Sequence, residues 1–285
     1  MKAVVINTFG TPDVLSYQDW PKPEPSEGQV LIKTAFTSVN FADIMTRRGG
    51  YGQPGLPQIL GLDASGIIEA IGDEVRGFKP GDRVAAYTSG GSYADYVIAD
   101  EGLCFALPDA VNFAQATGIG ILITAYNVLT LAGRLQAGES VLVHAAAGGV
   151  GSCLIQLAKS LGAGKVYATV GSDEKAEVAR NLGADEVINY RDQTFDHAIN
   201  DLTDGRGVDL ICDSIAGKTS ELGMNCLANF GRLVVFGHTA PEGAGNLTTQ
   251  MLHKQNRAVV GYSSGGHRNA RPEKIQTAAR AVLDL

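Results

Sequence analysis

Residues 141–163, VLVHAAAGGVGSCLIQLAKSLGA, set a short apolar run against a glycine cluster and then a helical pattern. Val141, Leu142 and Val143 form the continuous apolar run of a strand covered on both faces. After the glycines, Val150, Leu154, Leu157, Ala158 and Leu161 recur at helical spacing, with Gln156, Lys159 and Ser160 on other faces and Gly162 placed to stop the helix. A strand, a glycine turn and a helix start gather free backbone N–H groups and a positive dipole end at one point, which suits a phosphate. Ala146, Ala147, Gly148, Gly149, Val150 and Gly151 stand where a dinucleotide fingerprint reads G-x-G-x-x-G, with alanine in the first glycine position. Glycine-rich strand ends also serve packing alone, so a dinucleotide loop and structural glycines are both open readings.

Outward from this stretch the chain shows two rhythms. From about residue 137 strand-like runs at 141–145, 166–170, 186–190, 208–215, 232–238 and 258–262 alternate with helical or turn-rich segments. Six strands joined by crossovers predict a doubly wound parallel sheet. From residue 1 to about 105, short runs such as KAVVIN, QVLIKTAF, SGIIEAIG, DRVAAY and YADYVIA are punctuated by Gly, Pro and Asp, the pattern of a mostly antiparallel β domain. Residues 106–136 read as bridging helices. The expected organisation is 1–120, 121–262 and a return segment at 263–285.

The bulk numbers exclude several classes. With 23 basic against 30 acidic residues, a formal charge of -7 and no Lys/Arg-rich run, the chain is a poor candidate for nucleic acid or anionic membranes. Residues 118–133, GIGILITAYNVLTLAG, are short for a membrane span and read as a buried helix. The start, MKAVVINTFG, lacks a signal peptide's apolar core, so a cytoplasmic location is expected. Cys104, Cys153, Cys212 and Cys226 are far apart and read as free thiols.

Coenzyme choice is read at the tip of the second strand, where NAD-binding sheets carry an acidic residue for the ribose 2′-OH. Here KVYATV ends in Gly171 and Ser172, with Lys175 just beyond and Tyr190 at the end of strand three. A 2′-phosphate suits a corner of hydroxyls and an ammonium, so NADPH is the expected cofactor. In the competing reading Asp173 swings back to the ribose and Lys175 is a solvated helix residue.

The glycine loop, together with SVNFADIMTRRGGY (38–51), LPQILGLDASGIIEAIGDEV (56–75), FKPGDRVAA (78–86), GADEVINY (183–190) and GRLVVFG (231–237), resembles the quinone oxidoreductase (zeta-crystallin-like) branch of the medium-chain dehydrogenase/reductase superfamily. The resemblance implies an α/β protein with a GroES-like, mostly antiparallel β domain and a Rossmann sheet of six parallel strands. It also implies hydride transfer from NADPH to a small-molecule quinone or enone. The alternatives are an enoyl or 2-alkenal double-bond reductase and, from another class, an NADPH-binding structural or regulatory protein with little turnover.

No metal is expected, because Asn40 and Leu62 stand where zinc-dependent cousins place their Cys and His ligands, and residues 83–103 lack the four-Cys loop. By resemblance, Asn40 and Thr124 lie beside the nicotinamide ribose or amide, Tyr51 is expected to line the mouth of the cleft between domains, and Asp43 and Arg47 position neighbouring groups. Gly149 and Val150 meet the pyrophosphate, while Ser214 and the turn Phe236, Gly237, His238 close over the adenosine side. Asn40 as a helix cap, Tyr51 as core and Ser214 as a strand end are the structural alternatives. A homodimer paired through the strand at 258–262 is expected. The family's return to the first domain begins at 271–285 and runs on beyond that length, so a natural short form and a shortened piece are both open, and an uncovered β edge there favours self-association.

Overall fold

The computed structural model describes residues 1–50, 55–240, 243 and 245–285. Two compact units emerge, Met1–Gly120 with Arg271–Leu285, and Ile121–Ala270.

The first unit is built on β1 (Lys2–Ile6), β2 (Leu15–Asp19), β3 (Gln29–Thr37), β4 (Gln58–Ile59), β5 (Asp63–Ile71), β6 (Arg83–Tyr87), β7 (Tyr96–Asp100) and β8 (Cys104–Ala106). They form a three-stranded sheet, β2-β1-β4, and a five-stranded antiparallel sheet, β7-β3-β5-β6-β8. Alternation decides which face is buried: Val30 and Ile32, Val84 and Ala86, and Val97 and Ala99 share one core with Ala64, Ile68 and Cys104. Register shifts at Leu31/Ile32 and Thr34/Phe36 bend β3 against β5. The bend leads into α1 (Phe41–Arg47); α2 (Phe113–Ala116) follows much later. The C-terminal helix Pro272–Leu283 belongs to this unit, burying Ile275, Ala278 and Ala279 while the Gln276 amide donates to the Gly102 carbonyl at 2.8 Å.

The second unit starts within α3 (Ile119–Asn127), which continues as a π-helical turn over Val128–Ala132. Strands β9 (Ser140–Val143), β10 (Lys165–Val170), β11 (Glu186–Asn189), β12 (Val208–Asp213), β13 (Leu227–Val235) and β14 (Ala258–Gly261) alternate with α4 (Gly149–Ser160), α5 (Asp173–Asn181), α6 (Phe195–Leu202), α7 (Lys218–Gly223), α8 (Thr249–His253) and α9 (Ser264–Ala270). The sheet is parallel throughout in the order β11-β10-β9-β12-β13-β14, so strand order reverses at β9 and opens a crevice above its carboxyl end. Gly162, at φ 84°, ends α4, its N–H reaching the Lys159 carbonyl and that of Ala163 reaching Ala158.

The strand limits differ from expectation where turns intervene. β13 begins at Leu227 rather than 232, because residues 228–231 bulge out between the Val208 and Leu210 registers before pairing resumes at Arg232. It ends at Val235 rather than 238, and α9 stays with this unit, so of the segment 263–285 only Arg271–Leu285 lies in the first unit.

Two polar ties join the base of this sheet. Arg232 grips both oxygens of Glu139 at 2.7 and 2.6 Å and donates to the Gly133 carbonyl at 2.8 Å. Asp209 Oδ2 accepts the N–H and the hydroxyl of Ser140 at 2.8 and 2.7 Å, and the Ser140 oxygen accepts the Asp209 N–H in return. Burial alone would raise the Asp209 pKa, but the Ser140 N–H and hydroxyl, with Arg206, outweigh it and hold it below its ordinary value. A lowered carboxylate pKa gives stability that is full above the ordinary value near 4 and lost as pH falls through the folded one. Asp209→Asn is therefore expected to cost about 1–2 kcal/mol at pH 7 in urea denaturation, with the gap to wild type closing below about pH 4.

Candidate functional site

At the carboxyl end of β9 the backbone turns through Ala145, held at φ 49°, into Gly148, the residue before α4. Gly148 spends its own N–H on the Ala145 carbonyl at 2.9 Å and has no side chain with which to cap the helix. The N–H groups of Gly149, Val150 and Gly151 are therefore the uncapped first-turn donors that an anion would take. Gly151 is buried because α4 crosses the turn closely: a Cβ there would lie 2.8 Å from the Ala146 Cα and 2.9 Å from its carbonyl oxygen. Beneath the turn, buried His144 shares a hydrogen bond of 2.8 Å with the Thr169 hydroxyl and meets Phe195 edge-on at 4.6 Å. Burial pushes its pKa down, so the ring is neutral.

The next strand tip brings Gly171, Ser172, Lys175 and Tyr190 together. Ser172 caps α5, its hydroxyl accepting the Lys175 N–H at 3.4 Å, and the Lys175 side chain is exposed. Tyr190 directly follows β11 with its ring half exposed, and its hydroxyl occupies the space a Gly171 side chain would need. Asp173 and Glu174 open α5 beside this corner, and Asp173 accepts from the Asn189 amide at 3.2 Å. Across the crevice Ser214 follows β12, and Gly237 passes so close that a Cβ would sit 2.5 Å from the Ser214 carbonyl oxygen. Phe236 donates its N–H to the Asp213 carbonyl, and His238 is exposed. Thr124 stands on α3, one turn before buried Asn127, whose amide donates to the Tyr262 hydroxyl at 3.1 Å.

In the first unit Asn40 and Asp43 meet at the start of α1, with the Asn40 N–H on Asp43 Oδ2 at 2.8 Å. Asp43 also accepts from the Gly61 N–H at 3.2 Å and the Tyr93 hydroxyl at 3.1 Å, so both its oxygens are engaged. Burial raises its pKa against those donors. Asp63, without exposed surface, accepts from the Ser38 N–H, the Ser38 hydroxyl and the Asn40 amide at 3.1, 2.6 and 3.3 Å. Arg47 is buried on α1, its carbonyl accepting the Gly10 N–H. Tyr51 lies outside the described residues.

Asp63, Ser38 and Tyr93 did not emerge from the sequence reading. A lone acid inside the apolar run ILGLDASGII was the available signal, since a buried aspartate must find partners.

Residues 26–109 match the family model described as alcohol dehydrogenase GroES-like domain, and 149–283 match the one described as zinc-binding dehydrogenase. A quinone oxidoreductase of Pseudomonas aeruginosa is 37% identical over 288 residues, covering 100% of this chain and 87% of the relative. The chain belongs to the quinone oxidoreductase branch of the medium-chain dehydrogenase/reductase superfamily. The human quinone oxidoreductase is 38% identical over 83% of this chain and 73% of its own length. The solved Escherichia coli quinone oxidoreductase, complexed with NADPH, superposes with a TM-score of 0.91 at 30% identity, covering 100% of this chain and 87% of that one.

At the two positions compared with the zinc-dependent cousins, the side chains are not zinc ligands. Asn40 offers an amide already bound to Ser38 and Asp63, and Leu62 offers an alkyl group. An amide and an alkyl group do not fit a zinc held by thiolate and imidazole ligands, and among the described residues no three of His, Cys, Asp and Glu come together. No helix among them is long and apolar enough to cross a membrane.

Proposed function

We propose that this quinone oxidoreductase relative is an NADPH-dependent reductase that passes hydride, without a metal, to quinones or similarly activated acceptors. The corner of Gly171, Ser172, Lys175 and Tyr190 carries the reading, because a 2′-phosphate is a dianion that needs donors, no carboxylate stands at Gly171 directly after β10, and Asp173 is turned to the Asn189 amide. The N–H groups of Gly149, Val150 and Gly151 hold the pyrophosphate, with Gly148 shaping their turn. Ser214 with Phe236, Gly237 and His238 borders the adenosine side. Thr124 and Asn40 meet the nicotinamide half, and Asp43 fixes the helix on which Asn40 sits.

When bound, the coenzyme supplies the hydride. The protein supplies position and a surface that excludes water. A quinone accepts hydride without Lewis-acid help, and its reduced oxygens take protons from water or from Tyr51. Replacing Tyr51→Phe tests this: a clear fall in kcat is expected if its hydroxyl delivers the proton, and unchanged turnover assigns that step to solvent.

The functional test follows NADPH oxidation spectroscopically with a quinone, with a 2-alkenal and with neither. Rapid oxidation with the quinone supports the proposal. Faster turnover of the alkenal would make the protein a double-bond reductase, and tight coenzyme binding without oxidation would make it a binding protein. The expected assembly is a homodimer through β14, the sheet's edge strand, which sedimentation would reveal as a doubled mass.

A further inference from the structure

Asn40 has four hydrogen-bonding capacities: two amide protons and two lone pairs on its oxygen. Its Nδ2 donates to Ser38 Oγ at 3.1 Å and to Asp63 Oδ2 at 3.3 Å, which uses both protons. Ser38 has given its own proton to Asp63 Oδ1 at 2.6 Å, so its oxygen is free to accept. The Asn40 side-chain oxygen accepts no side-chain cap hydrogen bond at the start of α1, where the Asp43 N–H donates to the Asn40 backbone carbonyl at 3.0 Å. An ionised carboxylate only accepts, so a reversed Asn40 amide would set oxygen against oxygen at Asp63. One orientation is left, and its unused capacity lies in the oxygen's lone pairs.

We propose that Asp63 is a positioning residue that locks the Asn40 amide, so that the coenzyme group meeting Asn40 is a hydrogen-bond donor. The proposal rests on the reading that Asn40 meets the nicotinamide half of NADPH. Two donors exist there, a ribose hydroxyl and the carboxamide N–H. The carboxamide oxygen and a quinone oxygen are both excluded as partners.

Asp63→Asn is the informative change. Its oxygen would still serve the two Ser38 donors, but its new NH2 would face the NH2 of Asn40, and the lock would be lost. Burial raises the Asp63 pKa, opposed by Ser38 and Asn40, so the charged form costs stability at neutral pH and the neutral isostere is expected to fold.

NADPH dissociation constants would be measured by fluorescence for wild type, Asp63→Asn, Asn40→Ala and the double variant. About tenfold weakening is expected in each single variant, raising KM more than it lowers kcat, and the double variant is expected to be no weaker than either. The 3-acetylpyridine analogue of NADPH lacks the carboxamide N–H. If the Asn40→Ala penalty vanishes with it, the donor is the carboxamide; if the penalty persists, the donor is a ribose hydroxyl.

Independently of coenzyme, NMR exchange of the Asn40 side-chain protons is expected to be slow in wild type and fast in Asp63→Asn. Exchange in wild type as fast as for an exposed asparagine overturns the lock. Additive penalties, or an Asn40→Ala variant that binds NADPH like wild type, overturn the proposal while the coenzyme reading stands. Wild type that binds no NADPH sinks the functional reading and the donor assignment with it, an outcome the exchange experiment tells apart from failure of the lock.

Discussion

Gly171→Asp is expected to reverse coenzyme preference, weakening NADPH about 100-fold against NADH in paired fluorescence titrations. A side chain at this position first displaces the Tyr190 phenol, since the Cβ would lie 2.8 Å from its Cζ. Tyr190 is half exposed and can rotate away, so the fold survives while the corner loses one donor. The new carboxylate then faces a dianion. Two like charges against one at about 6 Å, at an effective dielectric of about 40, repel by about 2–3 kcal/mol. In NADH the same carboxylate finds a 2′-OH and gains a hydrogen bond. A variant that still binds NADPH more tightly would show that the phosphate is recognised elsewhere.

Gly151→Val is expected to abolish measurable coenzyme binding and to lower the melting temperature by about 5–10 °C, corresponding to about 3 kcal/mol of overpacking. The atoms in the way belong to the backbone of Ala145 and Ala146 and have no rotamer into which to retreat. Either α4 moves off the turn or the turn opens, and each displaces the three donors. Gly149→Ala is the control: its Cβ meets the Ile121 side chain at 3.4 Å, an easy contact, so the fold should be nearly unaffected. Equal melting temperatures for Gly151→Val and wild type would contradict the close approach of helix and strand.

Local pattern carried the nucleotide-binding sheet, because each of its elements is written within a few residues: the apolar run at Val141–Val143, the glycines, and the stop at Gly162. The same local grammar underlies the proposed coenzyme corner, where Gly171, Ser172 and Lys175 are close in the chain. The Asn40 network was not legible. Asp63 lies 23 positions from Asn40, and Tyr93 lies 50 from Asp43. Asn40 and Asp63 meet because β3 and β5 pair antiparallel, Tyr93 comes in just ahead of β7, which pairs with β3, and no periodicity records which residues a register places opposite each other. The Arg232 clamp on Glu139 spans 93 positions and escaped notice for the same reason. The end of β13 was misplaced because Phe236 and Gly237 read as a continuing apolar run, whereas Gly237 must clear the Ser214 backbone.

The bare start of α4 also bears on how durable the protein is. With glycine where serine or aspartate would ordinarily close the helix, the apo form leaves unquenched a polarity that a phosphate bound as proposed would neutralise. A ligand that binds only the native chain adds about 2.7 kcal/mol of resistance to unfolding at a hundredfold excess over its dissociation constant. Lifetime against heat or proteases would then track the supply of reduced nucleotide, and starving the protein of it would mark the protein for turnover.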